Sequence, residues 1–196
     1  MQILVINSGG SSLKFQLFEL DEGDFLSLAR GVVKDFGPSA LCQGVVKGVP
    51  LFMQRAVCNH HDAALLVMDC LHNHGLPTQE LAGVGYRVVH GGDQFRAPVL
   101  ISDSVLASLN EMQSLAPLHN PASLQTMRAL RDLLGMNIPM VAVFDTSFFQ
   151  HLPDAVNRYA LPDAWAKTFG VKRYGFHGIA HACMVEQTRP AQRVIT

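Results

Sequence analysis

The sequence predicts an α/β fold with a mixed sheet, and three observations support this. Residues 1–57 are a series of short apolar or alternating segments separated by glycine, which is typical of consecutive strands. Residues 60–75 then carry apolar side chains at helical spacing. Two later apolar runs, 82–89 and 139–144, have the character of buried strands, and helical patterns lie before and between them.

The N-terminal part predicts five strands. Residues 3–6 are a short apolar run that fits a strand buried on both faces. After a polar turn, apolar and polar residues alternate over 13–17, as in a half-buried strand. Glycines and Gly-Pro pairs separate the segments that follow. The predicted strands cover residues 2–7, 13–19, 25–33, 43–48 and 51–57.

Helix signals dominate the rest of the chain. Ser102 or Asp103 suits the N-cap of one helix. Asn120 suits the N-cap of another, in which Pro121 takes the first position. The predicted helices cover residues 60–75, 103–114, 120–134, 163–169 and 179–187, and a last strand begins at residue 193.

The order β-β-β-α-β-α-β is typical of the first lobe of the ribonuclease-H-like architecture, which the actin-like ATPase and sugar kinase superfamily shares. We therefore predict a first actin-like lobe over residues 1–148 and the incomplete start of a second lobe over 149–196. A domain seldom ends on the first residues of a strand, because nothing is left to pair with it. We expect the chain to be a piece of a longer protein.

The composition excludes some partners. Charged residues make up 16% of the chain, below the roughly 25% usual in soluble domains, so much of it should be packed inside. A net charge of −1 argues against nucleic acid or an anionic membrane as partner. No apolar run approaches the roughly 20 residues of a membrane helix. The four scattered cysteines predict reduced, mostly buried thiols in a cytoplasmic protein. His60 and His61 are predicted to lie at the surface.

The turn between the first two strands has the composition of an anion site. Residues 7–12 read Asn-Ser-Gly-Gly-Ser-Ser, and Lys14 follows. Such a turn presents backbone N–H groups, hydroxyls and one ammonium group, a concave set of donors suited to phosphate oxygens. It is not a Walker A loop, because the G-x-x-x-x-G-K-[ST] pattern is missing and a strand follows where a helix should. An ordinary hairpin turn explains the same residues equally well.

Two charged residues lie near the ends of apolar strands. Arg87 needs a partner inside so apolar a segment. That partner is either a buried acid or a bound carboxylate or phosphate, which a guanidinium group holds bidentately. Asp145 follows a buried strand at the sheet edge where ligands of open α/β proteins collect. Capping of the following turn is the alternative role for Asp145.

Two further segments have less specific signals. Residues 115–121, Leu-Ala-Pro-Leu-His-Asn-Pro, are a stiff apolar loop that enters a helix, and taken alone they are better explained as a helix start with a buried leucine or two. His177 and His181 are four residues apart and share a face if helical. The absence of an H-E-x-x-H pattern disfavours zinc. His177, next to Gly178, suits a donor to an anion better.

Together these segments resemble the acetate kinase family, in order and spacing, over essentially the whole chain. The resemblance is closer to acetate and propionate kinases than to butyrate kinases, which lack the Ala-Pro-Leu-His-Asn loop in this form. The matching segments are Asn7-Ser-Gly-Gly-Ser-Ser-Leu-Lys14, Arg87-Val-Val-His-Gly-Gly92, Leu115-Ala-Pro-Leu-His-Asn-Pro121, Val143-Phe-Asp-Thr-Ser147 and Tyr174-Gly-Phe-His-Gly178.

The resemblance implies reversible phosphoryl transfer from ATP to acetate, giving ADP and acetyl phosphate, with Mg²⁺. It implies that Asn7 lies at the metal site and that Lys14 and Ser12 bind the ATP phosphates. It also implies that acetate and ATP are the partners, and that the full-length protein forms a homodimer through its second lobe.

On the acetate side, the resemblance implies that Arg87 binds the carboxylate and that Val89 and Leu118 line the pocket for the methyl group. Asp145 and His177 would be the catalytic residues. Acetate is already ionised at pH 7, so transfer needs no general base. We therefore expect Asp145 to orient Mg²⁺ or its waters, and His177 to stabilise the transferring phosphoryl group.

The chain departs from the family pattern at several positions. Gly10 replaces a usual serine, Phe149 replaces a common histidine, and residues 179–180 are Ile-Ala where Thr-Ser is common. The adenosine-binding loops, a second arginine and a glutamate of the second lobe are missing. Two alternatives stay open: a propionate kinase, because Val89 and Leu118 are only part of the pocket, and a non-catalytic actin-like binding module.

Overall fold

A computed structural model of the chain describes residues 1–188, which form a mixed eight-stranded sheet and six helices. The N-terminal strands pair as an antiparallel meander, because short turns join them. Two of these turns, Glu22–Gly23 and Lys47–Gly48, have both residues at positive φ, as type I′ hairpin turns require. The five strands are β1 (Gln2–Ser8), β2 (Ser12–Asp21), β3 (Asp24–Lys34), β4 (Gly37–Val46) and β5 (Val49–Val57).

The second part of the sheet is parallel. The strand β6 (Leu81–Val88) pairs parallel with β1, and β8 (Met140–Phe144) pairs parallel with β6. A two-residue strand, β7 (Val99–Leu100), closes the edge in antiparallel orientation. The sheet order is β5-β4-β3-β2-β1-β6-β8-β7, which confirms the predicted mixed sheet.

The helices lie between and after the parallel strands. In chain order, α1 precedes β6, α2 and α3 precede β8, and the last three follow a 3-10 turn that begins at Asp145. None of the helices within residues 1–188 is long and apolar enough to cross a membrane. The helices are α1 (His60–Asn73), α2 (Asp103–Glu111), α3 (Asn120–Leu134), α4 (Asp154–Asn157), α5 (Asp163–Phe169) and α6 (Gly178–Gln187).

Most predicted elements are present, with different bounds in places. The strand β4 begins at Gly37 rather than at residue 43, because Pro38 lies at an irregularity in its pairing with β5 rather than in a turn. The short β7 was not predicted, because two residues carry no periodicity. The strand predicted to begin at residue 193 lies outside the described residues.

The core lies between one face of the sheet and the helices α1 and α3. Along β1, Leu4 and Ile6 are buried in it, while Val5 on the opposite face is 38% exposed. The prediction that β1 is buried on both faces is therefore wrong for the described chain. The helices contribute Leu66 and Leu130, which are fully buried.

A buried hydrogen bond joins the end of β1 to α3. The hydroxyl oxygens of Ser8 and Thr126 are 2.9 Å apart, and Thr126 donates its own proton to the carbonyl of Ala122. Because a hydroxyl has a single proton, Ser8 must be the donor to Thr126. The end of β1 is thus fixed to the core just before the polar turn.

Truncation of Leu130 tests this packing against a matched control on the same helix. Leu130→Ala should lower the free energy of unfolding by about 2–5 kcal/mol, because it leaves a cavity in the core. Leu133→Ala, at a position that is 45% exposed, should change it by less than about 0.5 kcal/mol. Urea denaturation of both variants measures the difference. Equal losses would contradict the assignment of the core-facing side of α3.

Candidate active site

The candidate site lies at the carboxyl ends of β1, β6 and β8. The strand register places Asn7 between Lys14 of β2 on one side and Arg87 of β6 on the other. Directly paired residues of neighbouring strands project to the same face of a sheet. Lys14, Asn7 and Arg87 therefore form a row across three strands, with an amide between two cations.

Arg87 also pairs with Asp145, which follows β8. Its Nη2 donates to Asp145 Oδ2 at 2.6 Å and its Nε donates to the same oxygen at 3.2 Å. On the other side, Nη1 donates to Asn7 Oδ1 at 3.1 Å. The carboxyl group of Asp145 is 1% exposed and the side chain of Arg87 is 26% exposed. One guanidinium group thus joins the ends of three parallel strands.

This geometry excludes the capping role for Asp145 and shows the buried ion pair that was one of the two expectations for Arg87. The Asp145 carboxylate accepts from Arg87 and makes no capping bond to the 3-10 turn that it begins. The buried acid expected beside Arg87 is therefore Asp145. A guanidinium group has five N–H donors, of which Arg87 uses three here. Two donors remain for a bound carboxylate or phosphate.

A cavity of about 440 Å³ opens beside this pair. It brings together the five residues predicted for substrate binding and catalysis, namely Arg87, Val89, Leu118, Asp145 and His177. Val89 is buried, whereas Leu118 is 75% exposed, so the apolar wall is open on one side. The other lining residues are Leu115, Ala116, Pro117, His119 and Phe176.

The residues predicted to bind phosphate lie beside the cavity rather than in its lining. Lys14 lines a separate open depression on the face of the sheet. Ser12 lies at the end of the polar turn, where its carbonyl accepts from the N–H of Gly9 at 2.8 Å. The substituted position Gly10 lies at the opposite side of the turn, where a Cβ would be 3.6 Å from the carbonyl oxygen of Leu118. This is an ordinary van der Waals distance, so a Cβ at position 10 meets no steric conflict.

The predicted surface position of His60 is wrong. The residue is 6% exposed, and its Nε2 is 2.7 Å from the carbonyl oxygen of Gly9 in the polar turn. The sequence held a signal for this burial, because His60 lies at helical spacing from Ala63 and Val67 on the apolar face of α1. Burial lowers the pKa of His60, and hydrogen bonds with backbone groups of Gly9 and Ser12 partly offset this.

The apolar loop is attached to the end of β6 by a side chain. Asn120 Nδ2 donates to the carbonyl of His90 at 3.0 Å, and the N–H of His90 donates to Asn120 Oδ1 at 3.3 Å. The prediction that Asn120 caps its helix is therefore wrong, because its amide is used by His90. These two hydrogen bonds hold the loop that carries Leu118 next to Val89.

A glycine fixes His177 next to Asp145. His177 has a left-handed backbone conformation, with φ of 57°, and Gly178 begins α6. A Cβ on Gly178 would overlap the carbonyl oxygen of Asp145 and would lie 2.6 Å from the Cβ of Phe148. Only glycine permits this approach. His181 instead packs against the rings of Phe148 and Phe149, so the two histidines do not share one site.

A second contact holds the segment before His177. Tyr174 donates to Asp93 Oδ2 at 3.2 Å, and Lys172 forms an ion pair with Oδ1 of the same carboxylate. Burial alone would raise the pKa of Asp93, but the hydrogen bond and charge of Lys172, together with Tyr174 and Arg96, outweigh it and lower the pKa. The ring of His90 packs edge-on against Tyr174. Sequence reasoning did not find this cluster, because its members are about eighty residues apart.

Comparisons with known proteins point to one family. A profile of the Acetokinase family matches residues 2–192. The acetate kinase of Geobacillus sp. (strain WCH70) is 41% identical over 189 residues, which are 95% of this chain and 47% of that protein. The chain spans about half the length of the curated relatives it matches.

Solved structures give the same result. The acetate kinase of Porphyromonas gingivalis superposes with a TM-score of 0.83 at 38% identity, over 95% of this chain and 49% of that chain. A propionate kinase from Francisella tularensis subsp. tularensis SCHU S4 also gives 0.83, at 30% identity, over 95% and 47%. These neighbours place the fold in the actin-like ATPase superfamily.

The close approach at Gly178 can be tested by adding one methyl group. Gly178→Ala should lower the free energy of unfolding by about 1–3 kcal/mol, because the Cβ forces α6 away from Asp145. Gly85→Ala is the matched control, since a Cβ there meets no atom within 4 Å. Urea denaturation compares the two, and an equally small effect of both would contradict the described contact.

Stability should also depend on pH through two buried histidines. Burial lowers the pKa of both His60 and His90 from the ordinary 6.5. Below pH 6.5 the unfolded chain therefore binds more protons than the folded one. The free energy of unfolding should then decrease as the pH is lowered. Each histidine contributes at most about 1.4 kcal/mol per pH unit. Urea denaturation at about pH 7.5 and about pH 5.5 measures the slope, which His90→Gln should reduce. A slope that His90→Gln leaves unchanged would contradict this account.

Proposed function

Because the chain belongs to the acetokinase family, we propose that it carries the acetate-binding half of an acetate kinase site, for reversible phosphoryl transfer from ATP to acetate. The observation that carries this proposal is the cavity at the carboxyl edge of the sheet. There Arg87 provides donors for a carboxylate, and Val89 and Leu118 provide an apolar wall for a methyl group. An acetate ion needs both, on opposite sides of a small site.

Each residue has a task that suits its chemistry. Arg87 binds the carboxylate with its two remaining N–H donors, and His177 donates to the phosphoryl oxygens as charge develops on them. Lys14 and Ser12, at the polar turn, bind the phosphates of ATP. Acetate enters as an anion, so no residue has to remove a proton, and positioning supplies most of the catalysis.

Magnesium, bound with ATP, is part of this proposal, and the oxygen donors present fit it. Asp145 offers a carboxylate and Asn7 an amide oxygen, both hard ligands of the kind Mg²⁺ prefers. Asp145 Oδ1 is 3.4 Å from Arg87 Nε and so retains lone pairs. Residues 1–188 contain no group of three His, Cys, Asp or Glu side chains arranged for a metal. Mg²⁺ is often held by one or two carboxylates together with waters and substrate phosphates, so Asp145 and Asn7 could hold it here without such a group. The ion would neutralise charge on the phosphates.

We further propose that residues 1–148 are the first lobe and that 149–196 begin a second. The last strand of the sheet ends at Phe144, and α6 packs on the turn that follows it. The homodimer and the cytoplasmic location remain predictions. The four free thiols suit a reducing compartment, although two of them, Cys58 and Cys183, are exposed rather than buried as predicted.

Propionate is the second candidate substrate. Leu118 is 75% exposed, so the apolar wall leaves room for a longer acyl chain. One methylene group changes affinity in such a pocket by only about 1–3 kcal/mol, so both acids are expected to bind. Comparison of kcat/KM for acetate and propionate in one preparation separates the two activities.

Hydroxylamine trapping of acyl phosphate tests the proposed reaction. The 196-residue chain should give no signal with ATP, Mg²⁺ and acetate, because one half of a cleft does not position both substrates. A longer version of the chain, extended past Thr196 to the length of its relatives, should give a signal. Intact mass must show that only the 21.4 kDa species is present in the first sample. An Arg87-dependent signal from that sample would contradict the half-site proposal.

Arg87→Lys in the extended chain tests the role of the guanidinium group. Lysine keeps the charge but loses the two-pronged geometry, so kcat/KM for acetate should fall by at least about 100-fold. Arg55→Lys is the control, since Arg55 forms an exposed pair with Asp69. Full activity of Arg87→Lys would contradict the role proposed for the guanidinium group. Absence of phosphoryl transfer in both the extended parent chain and the variant would instead favour the non-catalytic binding module.

A further inference from the structure

A buried histidine supports the polar turn from the side of the helices. His60 is the first residue of α1, and its Nε2 is 2.7 Å from the carbonyl oxygen of Gly9. A carbonyl oxygen only accepts, so Nε2 carries a proton and donates it. The ring of Phe36 packs edge-on against the imidazole at 4.9 Å between centroids, which fixes the plane of the ring.

The start of α1 is itself fixed by two local hydrogen bonds. Asn59 caps the helix by accepting from the N–H of Asp62 at 2.9 Å. The carboxylate of Asp62 in turn accepts from the N–H of Cys58 at 2.9 Å. His60 lies between these residues, so its backbone has little freedom and its side chain extends from a rigid base.

Both polar backbone groups of Gly9 are therefore engaged on the inner side of the turn. Its N–H donates to the carbonyl of Ser12 at 2.8 Å, and its carbonyl accepts from His60. Within the described chain, the N–H groups of Gly10 and Ser11 bond to no other protein group. Successive free N–H groups in a turn form an anion-binding concavity.

We propose that His60 is a positioning residue for the phosphate turn: its Nε2–H bond to the Gly9 carbonyl orients the turn so that the N–H groups of Gly10 and Ser11 face a bound phosphate chain. His60 touches no substrate in this arrangement. The inference rests on the proposed function, in which this turn binds the phosphates of ATP, and it assigns the support of the turn to a side chain of α1.

Three variants of the 196-residue chain separate the hydrogen bond from the packing. His60→Phe keeps a flat ring but removes the donor, and His60→Gln keeps an N–H donor near the position of Nε2. His61→Gln is the matched control, because the neighbouring His61 side chain is 52% exposed. Two readouts are used: hydrogen exchange of the Gly9 amide by NMR, and affinity for tripolyphosphate by calorimetry.

We expect His60→Phe to raise the exchange rate of the Gly9 amide about tenfold and to weaken tripolyphosphate binding about tenfold, as for the loss of one hydrogen bond. His60→Gln should stay within about threefold of the parent chain in both readouts, as partial rescue of that bond. His61→Gln should match the parent. In the parent chain, the ¹⁵N shifts of the His60 ring should show the proton on Nε2, a measurement that needs no variant.

Unchanged exchange in His60→Phe, equal damage by Phe and Gln, or a proton on Nδ1 would each overturn the proposal. A different result bears on the proposed function alone. If the exchange rates respond as expected but the parent chain binds no tripolyphosphate, His60 positions the turn and the turn does not bind phosphate.

Discussion

The arrangement of this site depends on a single guanidinium group. Arg87 bonds to Asn7 at the end of β1 and to Asp145 after β8, and it projects from β6 between them. Without Arg87, the 1% exposed carboxylate of Asp145 would be a buried charge with no partner, which would strongly destabilise the fold. The guanidinium group that we propose to bind an anion therefore also stabilises the buried carboxylate. Structural and chemical roles are not alternatives at this position, because a guanidinium group has donors enough for both.

The loops around Arg87 are held in place by hydrogen bonds and close contacts with one another. Asn120 bonds to both backbone groups of His90, and Thr146 accepts from the N–H of Gly91 at 3.1 Å. Gly178 lies against the carbonyl of Asp145, where no larger residue fits. Segments far apart in sequence therefore meet through backbone groups, which have fixed length and little freedom. A cavity whose walls are joined in this way is largely formed before any ligand arrives, and this reduces the ordering cost of binding.

The sequence predicted the periodic elements well and the pairings less well. Alternation and helical spacing located seven strands and the longer helices, since burial of one face imposes these periods. Nothing periodic indicates that Arg87 and Asp145 form a pair, so both readings of Arg87 stayed open until the register was known. His60 was predicted to lie at the surface together with His61, at the edge of the predicted helix, and this prediction is wrong. The helical spacing between His60 and Ala63 indicates that both lie on the apolar face of α1. The apolar face of a helix should therefore be traced from the first residue of the helix.

The open side of the site is the physical basis for the proposal that this chain binds an anion without transferring phosphate. Leu118 is 75% exposed and Lys14 lies in an open depression, so an anion bound here would face water on one side. At 4 Å, two unit charges interact by about 1 kcal/mol in water and by about 4 kcal/mol at the effective dielectric of a protein surface. Covering this side would therefore strengthen every charge interaction in the cavity several-fold without adding a contact. Stabilisation of a transferring phosphoryl group depends on that gain, because its charge is spread over oxygens that only preorganised donors can neutralise. A carboxylate held by Arg87 needs much less of it, so under the proposed function the acid would bind to the described residues alone, whereas the transfer would require a closed cleft.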